Sequence, residues 1–129
     1  MEATTVVELV GATCLVATGA SHWFHAEMWC RQFESLAARG PTGARINGLF
    51  HGAVGGLFVA LHPVFAGWNS VFTYWALAVA VKGALYLVAP RVGLRAMVNC
   101  TPDKAPKMRW AGVAMAALGL VVAGIAWAS

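Results

Sequence analysis

Four long apolar runs alternate with short polar segments along this chain: Thr4 to Phe24, Ile46 to Gly67, Ser70 to Ala89 and Trp110 to Trp127. Each is close to the roughly 20 residues a helix needs to cross the hydrocarbon core of a bilayer. They use most of the 129 residues, so the pattern predicts an all-α polytopic membrane protein with four transmembrane helices in a single membrane domain over 1–129. Composition agrees. Hydrophobic residues are 60% and charged residues 11%, where a soluble domain carries about 25% charged residues; the mean hydropathy is +0.68.

The few charges orient the predicted spans. Arg31, Arg39 and Arg45 lie between spans one and two, and Arg91, Arg95, Lys104, Lys107 and Arg109 between spans three and four, whereas the turn around "GWNS" has none. Because cytoplasmic loops carry the Lys/Arg excess, both basic loops are expected on the cytoplasmic face of a bacterial inner membrane and both termini outside. The first basic residue is Arg31, so the first run lacks the basic n-region of a cleavable leader and reads as a retained span. The formal charge of +4 then reflects topology and contact with anionic lipid, not nucleic-acid binding.

Two runs echo each other. Gly11, Ala12, Leu15, Val16 and Ala17 match Gly83, Ala84, Leu87, Val88 and Ala89 at an offset of 72, and "GGLFVAL" at 55 to 61 resembles "LGLVVAG" at 118 to 124 at an offset of 63. These echoes suggest two tandem hairpins, about 1–67 and 70–129, each reading span, basic interfacial segment, span. Copies that each cross twice share one orientation, a parallel rather than an inverted repeat.

The second hairpin, in "KGALYLVAPRVGLRAM" and "TPDKAPKMRWAGVAMAALGLVVAGIAW", resembles the YjeT-like family of very small two-span bacterial inner-membrane proteins. The resemblance rests on Pro90, Arg91, Pro102, Asp103, Arg109 and Gly112 and covers about the last 50 residues. It departs from the family where Trp110 and Ala111 separate Arg109 from Gly112, and in the first half, where Thr18 stands in place of the proline. It implies a two-span hairpin and no transferable activity.

Polar residues inside the spans are the candidates for chemistry, because an ionisable group in a membrane is costly and marks function by default. At the offset of 72, Lys82 corresponds to Val10 and Glu8 lies two residues further out, about 3 Å of helix rise, so a Glu8–Lys82 pair across spans one and three is one expectation. The other is that Lys82 reaches the cytoplasmic headgroups while Glu8 meets water. For cofactors, His51 together with either His22 or His25, which lie one turn apart, could hold haem, a metal or a pigment, since imidazole suits iron, copper and zinc. His62 shares a stripe with His51 but has no second histidine at its end to face. No Cys-x-x-Cys-His attachment signal is present.

For packing, Gly48, Gly52, Gly56 and Ala60 recur every four residues and predict a stripe along which another helix backbone approaches closely; Gly112 and Ala116 offer a shorter version. "SHWFHAEMWCRQFESLAARG" predicts an interfacial amphipathic helix with Ala26, Trp29, Phe33 and Leu36 on one side, Trp23 and Trp29 at headgroup level, and Gly40 and Pro41 at its end. "VGLRAMVN" is its shorter counterpart. Cys14 reads as a small apolar residue, and Cys30 and Cys100 as free thiols in the basic loops.

Neither a Ser-His-Asp arrangement, a nucleotide loop nor paired acids can be placed, so an enzyme is not expected. The expected function is a non-catalytic accessory or scaffold subunit of a larger inner-membrane complex, in contact with lipid and with other subunits or copies of itself. The alternatives are a small ion-coupled transporter using Glu8 and Lys82, and a haem-, metal- or pigment-binding membrane subunit.

Overall fold

The computed structural model describes all 129 residues, and its regular elements are all helical. In chain order they are α1 (Ala3–Phe24), α2 (Ala26–Ala38), α3 (Pro41–Leu61), α4 (Ser70–Val88), α5 (Pro90–Val98), a 3-10 turn (Pro102–Lys104) and α6 (Ala105–Ala128). Four stretches are long and apolar enough to cross a membrane: α1, α3, α4, and α6 together with the turn that leads into it.

Local chemistry sets the breaks. Pro41 and Pro90 stand at the first positions of α3 and α5, where a missing N–H leaves no helical bond unmade. Gly40 supplies the positive φ of 61° that reverses the chain before α3, a conformation available to glycine without a Cβ clash. The span predicted from Ile46 starts earlier, at Pro41, and carries Arg45 in its first turns; the last helix likewise starts before Trp110 and carries Lys107 and Arg109. Basic side chains near a helix end can reach the interface while the backbone stays helical, which is why hydropathy alone cuts these helices short.

The long helices pack as two pairs, α1 with α6 and α3 with α4. At one end α2 packs on α5, on the 3-10 turn and on the starts of α3 and α6, gathering Arg31, Arg39, Arg45, Arg91, Arg95, Lys104, Lys107 and Arg109. At the opposite end Asn69, at the start of α4, donates to Glu8 of α1 and to Ser129 beyond α6.

Glycine makes both seams. A Cβ at Gly48 would stand 2.8 Å from the carbonyl oxygen of Gly83, and one at Gly112 would stand 2.5 Å from that of Gly19. Further along, Gly55 faces Ala76 and Ala80, and Gly119 faces Ala12 and Val16. These contacts are equivalent under one shift of 64 residues: 48 becomes 112, 55 becomes 119, 19 becomes 83, 12 becomes 76 and 16 becomes 80. The same shift carries the end of α1 at Phe24 onto the end of α4 at Val88, and the start of α3 at Pro41 onto the start of α6 at Ala105. It is neither the 72 nor the 63 that the sequence echoes suggest, since runs of Gly, Ala, Leu and Val align with one another at many registers.

The seam also corrects the expected stripe. Gly48 is buried against α4, and a Cβ at Gly52 would stand 3.9 Å from the Gly83 backbone, but the third member is Gly55; a Cβ at Gly56 would meet nothing within 4 Å, and Ala60 is exposed. At 3.6 residues per turn a step of seven returns to within about 20° of the same face, whereas a step of eight rotates by about 80°. Backbone approach of this kind supplies the van der Waals contact that holds helices together in lipid, where no hydrophobic force acts between them.

Between the pairs, Phe72 of α4 packs with Ala12 of α1 and Val122 of α6, flanked by Phe58 and Trp75. Its ring occupies the space a side chain at position 11 would need, which accounts for Gly11. At the basic end, α2 does not lie apart as an interfacial helix would. Ala26 and Cys30 are buried against Ala105 and Met108, with Trp29 and Phe33 beside them. Trp29 stacks on His22 at 4.4 Å and donates its indole N–H to the Ser21 hydroxyl at 2.9 Å, so it faces the bundle rather than headgroups. Trp23 stays partly exposed, edge-on to Trp110.

Candidate functional site

Two polar centres lie among the long helices, and they are built differently. The first closes the end opposite the basic cluster. Glu8, from the second turn of α1, is 1% exposed, and His62, the residue that caps α3, is fully buried. His62 Nε2 and Glu8 Oε1 are 2.8 Å apart. The side-chain amide of Asn69 donates to both carboxyl oxygens of Glu8, at 2.9 and 3.2 Å. Thr73, one turn into α4, is also fully buried. Phe72 stands edge-on to the imidazole, with ring centroids 5.3 Å apart.

The bonding pattern fixes where protons sit. The Thr73 hydroxyl donates to the carbonyl oxygen of His62 at 2.8 Å, which spends its one proton, so in its 2.7 Å contact with His62 Nδ1 the Thr73 oxygen accepts. Nδ1 therefore carries a hydrogen. The remaining link, Nε2 to Oε1, holds one proton in either of two forms: imidazolium with carboxylate, or neutral imidazole with carboxylic acid. In both forms the pair has no net charge, which makes its burial tolerable, and no buried side-chain nitrogen or oxygen lacks a partner.

The second centre is in the middle of the α3–α4 pair. Lys82, thirteenth of the nineteen residues of α4, places Nζ 3.3 Å from His51 Nε2 and 5.6 Å from the centre of the Tyr86 ring. His51 Nδ1 is 2.8 Å from the Asn47 carbonyl oxygen, to which it donates. That leaves Nε2 as a lone-pair acceptor for the ammonium. Lys82 is exposed on the outside of the bundle. The ion pairs of the chain are His62–Glu8 and the surface pair Arg31–Glu27 at 3.8 Å, so no carboxylate compensates Lys82.

The expected Glu8–Lys82 pair is thus replaced by two separate centres. Glu8 points inward to the ends of α3 and α4, whereas Lys82 lies on the outer face of α4, several turns away along the bundle. The histidines proposed as ligands do not converge either. His22 stacks on Trp29 with Nδ1 bonded to the Thr18 carbonyl oxygen, His25 is exposed at the α1–α2 break, and His51 is turned to Lys82. No three His, Cys, Asp or Glu side chains form a group able to hold a metal.

The sequence pattern leaves His62 without a partner and does not single out Asn69 or Thr73. The available signal is that Glu8, His62 and Asn69 all fall near one predicted boundary, with Asn69 and Thr73 one turn apart; the partner of His62 is a carboxylate, not a second histidine. No family model, curated protein or solved structure matches the chain.

Proposed function

We propose that this chain is a non-catalytic subunit of a larger membrane complex, joined to it through the α3–α4 face that carries Lys82 and His51. The observation behind this reading is the unpaired ammonium of Lys82 on the outer surface of a span. A charge near the middle of a transmembrane helix costs roughly 2.5 to 3.5 kcal/mol on insertion scales, and such residues pair with one another or face protein or water. His51 and Tyr86 give Lys82 a hydrogen bond and a π face but no counter-charge. A neighbouring helix bearing a carboxylate at this depth supplies it.

Positive-inside logic puts the basic end in the cytoplasm of a bacterial inner membrane and both termini outside. The constant shift of 64 supports descent from a duplicated two-span hairpin, in keeping with the resemblance of the second half to the YjeT-like proteins. The native particle in mild detergent tests the subunit reading. Wild type is expected in a species larger than the free chain and Lys82→Met in a smaller one, with the fold intact. A wild-type chain that runs as a monomer in several mild detergents overturns the reading.

A second reading, a small proton-coupled carrier, draws on the single shared proton between Glu8 and His62. Uptake or efflux driven by a pH gradient in proteoliposomes, lost in Glu8→Gln, would favour it over the subunit reading.

A further inference from the structure

Outside the two polar centres, one pair of reactive groups has no part in the function proposed above. Cys30 in α2 and Cys100, two residues beyond the end of α5, are 70 residues apart in sequence, yet their sulfurs are 3.7 Å apart. Both are free thiols. Cys30 is fully buried in the cluster formed by Ala26, Ala105 and Met108, and Cys100 packs on the same cluster while remaining partly exposed. The third cysteine, Cys14, is exposed on α1.

We propose that Cys30 and Cys100 form a peroxide-sensitive modification site, in which an intramolecular disulfide fastens α2 to the segment between α5 and α6. The asymmetry of the pair assigns the roles. Cys100 is the sulfur a small oxidant can reach; Cys30 is sealed from solvent and lies within a short side-chain movement of it. Cys100 as thiolate attacks one oxygen of hydrogen peroxide, the O–O bond breaks, and the departing hydroxide takes up a proton to leave as water, giving a sulfenic acid at Cys100. The sulfur of Cys30 then attacks that sulfenic sulfur; the S–S bond forms, the S–O bond breaks, and hydroxide leaves with the proton of Cys30 as a second water. Two thiols lose two electrons and two protons in all, and one peroxide is reduced to two waters.

The surroundings favour this product over a thiolate pair. Burial, with the Cys30 sulfur beside it, pushes the Cys100 thiol up to about 11, against a smaller opposing pull from Lys104. An environment that resists negative charge accommodates a neutral disulfide better than a dithiolate. The same shift makes the first step slow at neutral pH, because the thiolate is the nucleophile, so the site responds to sustained oxidation. On the basic end, read above as cytoplasmic, the resting state is the dithiol.

The test is made on the full chain carrying Cys14→Ala, in detergent, treated with hydrogen peroxide and then with dithiothreitol. Expected are an intact mass lower by two hydrogens, a peptide linking Cys30 to Cys100, a rise in melting temperature on oxidation, and reversal of all three by the reductant. In Cys30→Ser the sulfenic acid at Cys100 should persist and be trapped by dimedone. Three results overturn the proposal: Cys100 passing to sulfinic acid while Cys30 remains a free thiol, cross-linking only between chains, or purified protein that retains stoichiometric copper(I) shielding both thiols, which would make the pair a metal site.

Discussion

The two polar centres are a comparison in how a membrane protein treats an ionisable group. Glu8 and His62 are sealed among four helix ends, each has all its partners, and together they carry no net charge. Lys82 and His51 share one hydrogen bond on an open face, and the centre is cationic whenever Lys82 is protonated. The first arrangement is complete within the chain and can contribute to its fold. The second has no carboxylate within the chain, and that gap is what the proposed partner would fill. Burial by itself would have ranked the first centre as the functional one; electrostatic completeness ranks them the other way for partner binding.

Breaking the closed centre should have the largest effect. Removing one member of a buried pair leaves the other uncompensated, at about 3–5 kcal/mol, so Glu8→Leu should lower unfolding stability in detergent by that order. Glu8→Leu combined with His62→Leu should cost less than the sum of the two single changes. Additive losses would mean that the two side chains do not act as a pair.

The helix seams come next, and they sharpen the comparison by separating packing from charge. Leu at Gly55 or Gly83 meets backbone of the facing helix and should cost about 1–3 kcal/mol or more through overpacking. Leu at Gly56 should stay within about 0.5 kcal/mol. Equal effects at 55 and 56 would put the seam on the wrong face.

A finer cut goes through the closed centre itself. Thr73→Val keeps shape but strips the partner from His62 Nδ1 and from the His62 carbonyl, and an unsatisfied buried group costs about 1–3 kcal/mol. A loss at the lower end, about 1 kcal/mol in chemical unfolding, is expected if water can enter from the nearby helix ends. A gain in stability would contradict the proton assignment made for Thr73.

The smallest expected effect on folding belongs to the open centre. Lys82→Met should leave stability within about 0.5 kcal/mol or raise it by removing an insertion cost, while abolishing the larger native particle. If Lys82→Met unfolds the chain as severely as Glu8→Leu, the contrast between the centres collapses.

The number, order and approximate limits of the four spans are legible because hydropathy is a property of each segment alone. So is the break at Gly40 and Pro41. What the sequence conceals is pairwise. A stripe drawn every four residues drifts off the helix face after two turns, so it runs through Gly56 and Ala60 where the packed face has Gly55. The echo at 72 joined Lys82 to the depth of Glu8, whereas the contacts place Gly19, not Gly11, in the position of Gly83. His62 stands just outside regular helix, so the stripe it shares with His51 does not tell where its side chain turns, and its role depends on Glu8, 54 residues away. The proximity of Cys30 and Cys100 likewise follows from α2 folding onto the start of α6, which no local pattern encodes.

The pairing of the helices also bears on how the chain is made. A ribosome delivers α1 first and α6 last, yet these two are neighbours across a glycine seam, and the carboxylate of Glu8 finds His62 and Asn69 only after α3 and the start of α4 have emerged. The first span must therefore wait in the membrane, or in the care of the insertion machinery, with an unsheltered acid and an empty groove. The central hairpin of α3 and α4 can close on its own in the meantime and offer a surface on which the outer two helices later dock. A chain halted before α6 would keep a finished middle and a first helix that has its carboxylate partners but no helix packed along its glycine face.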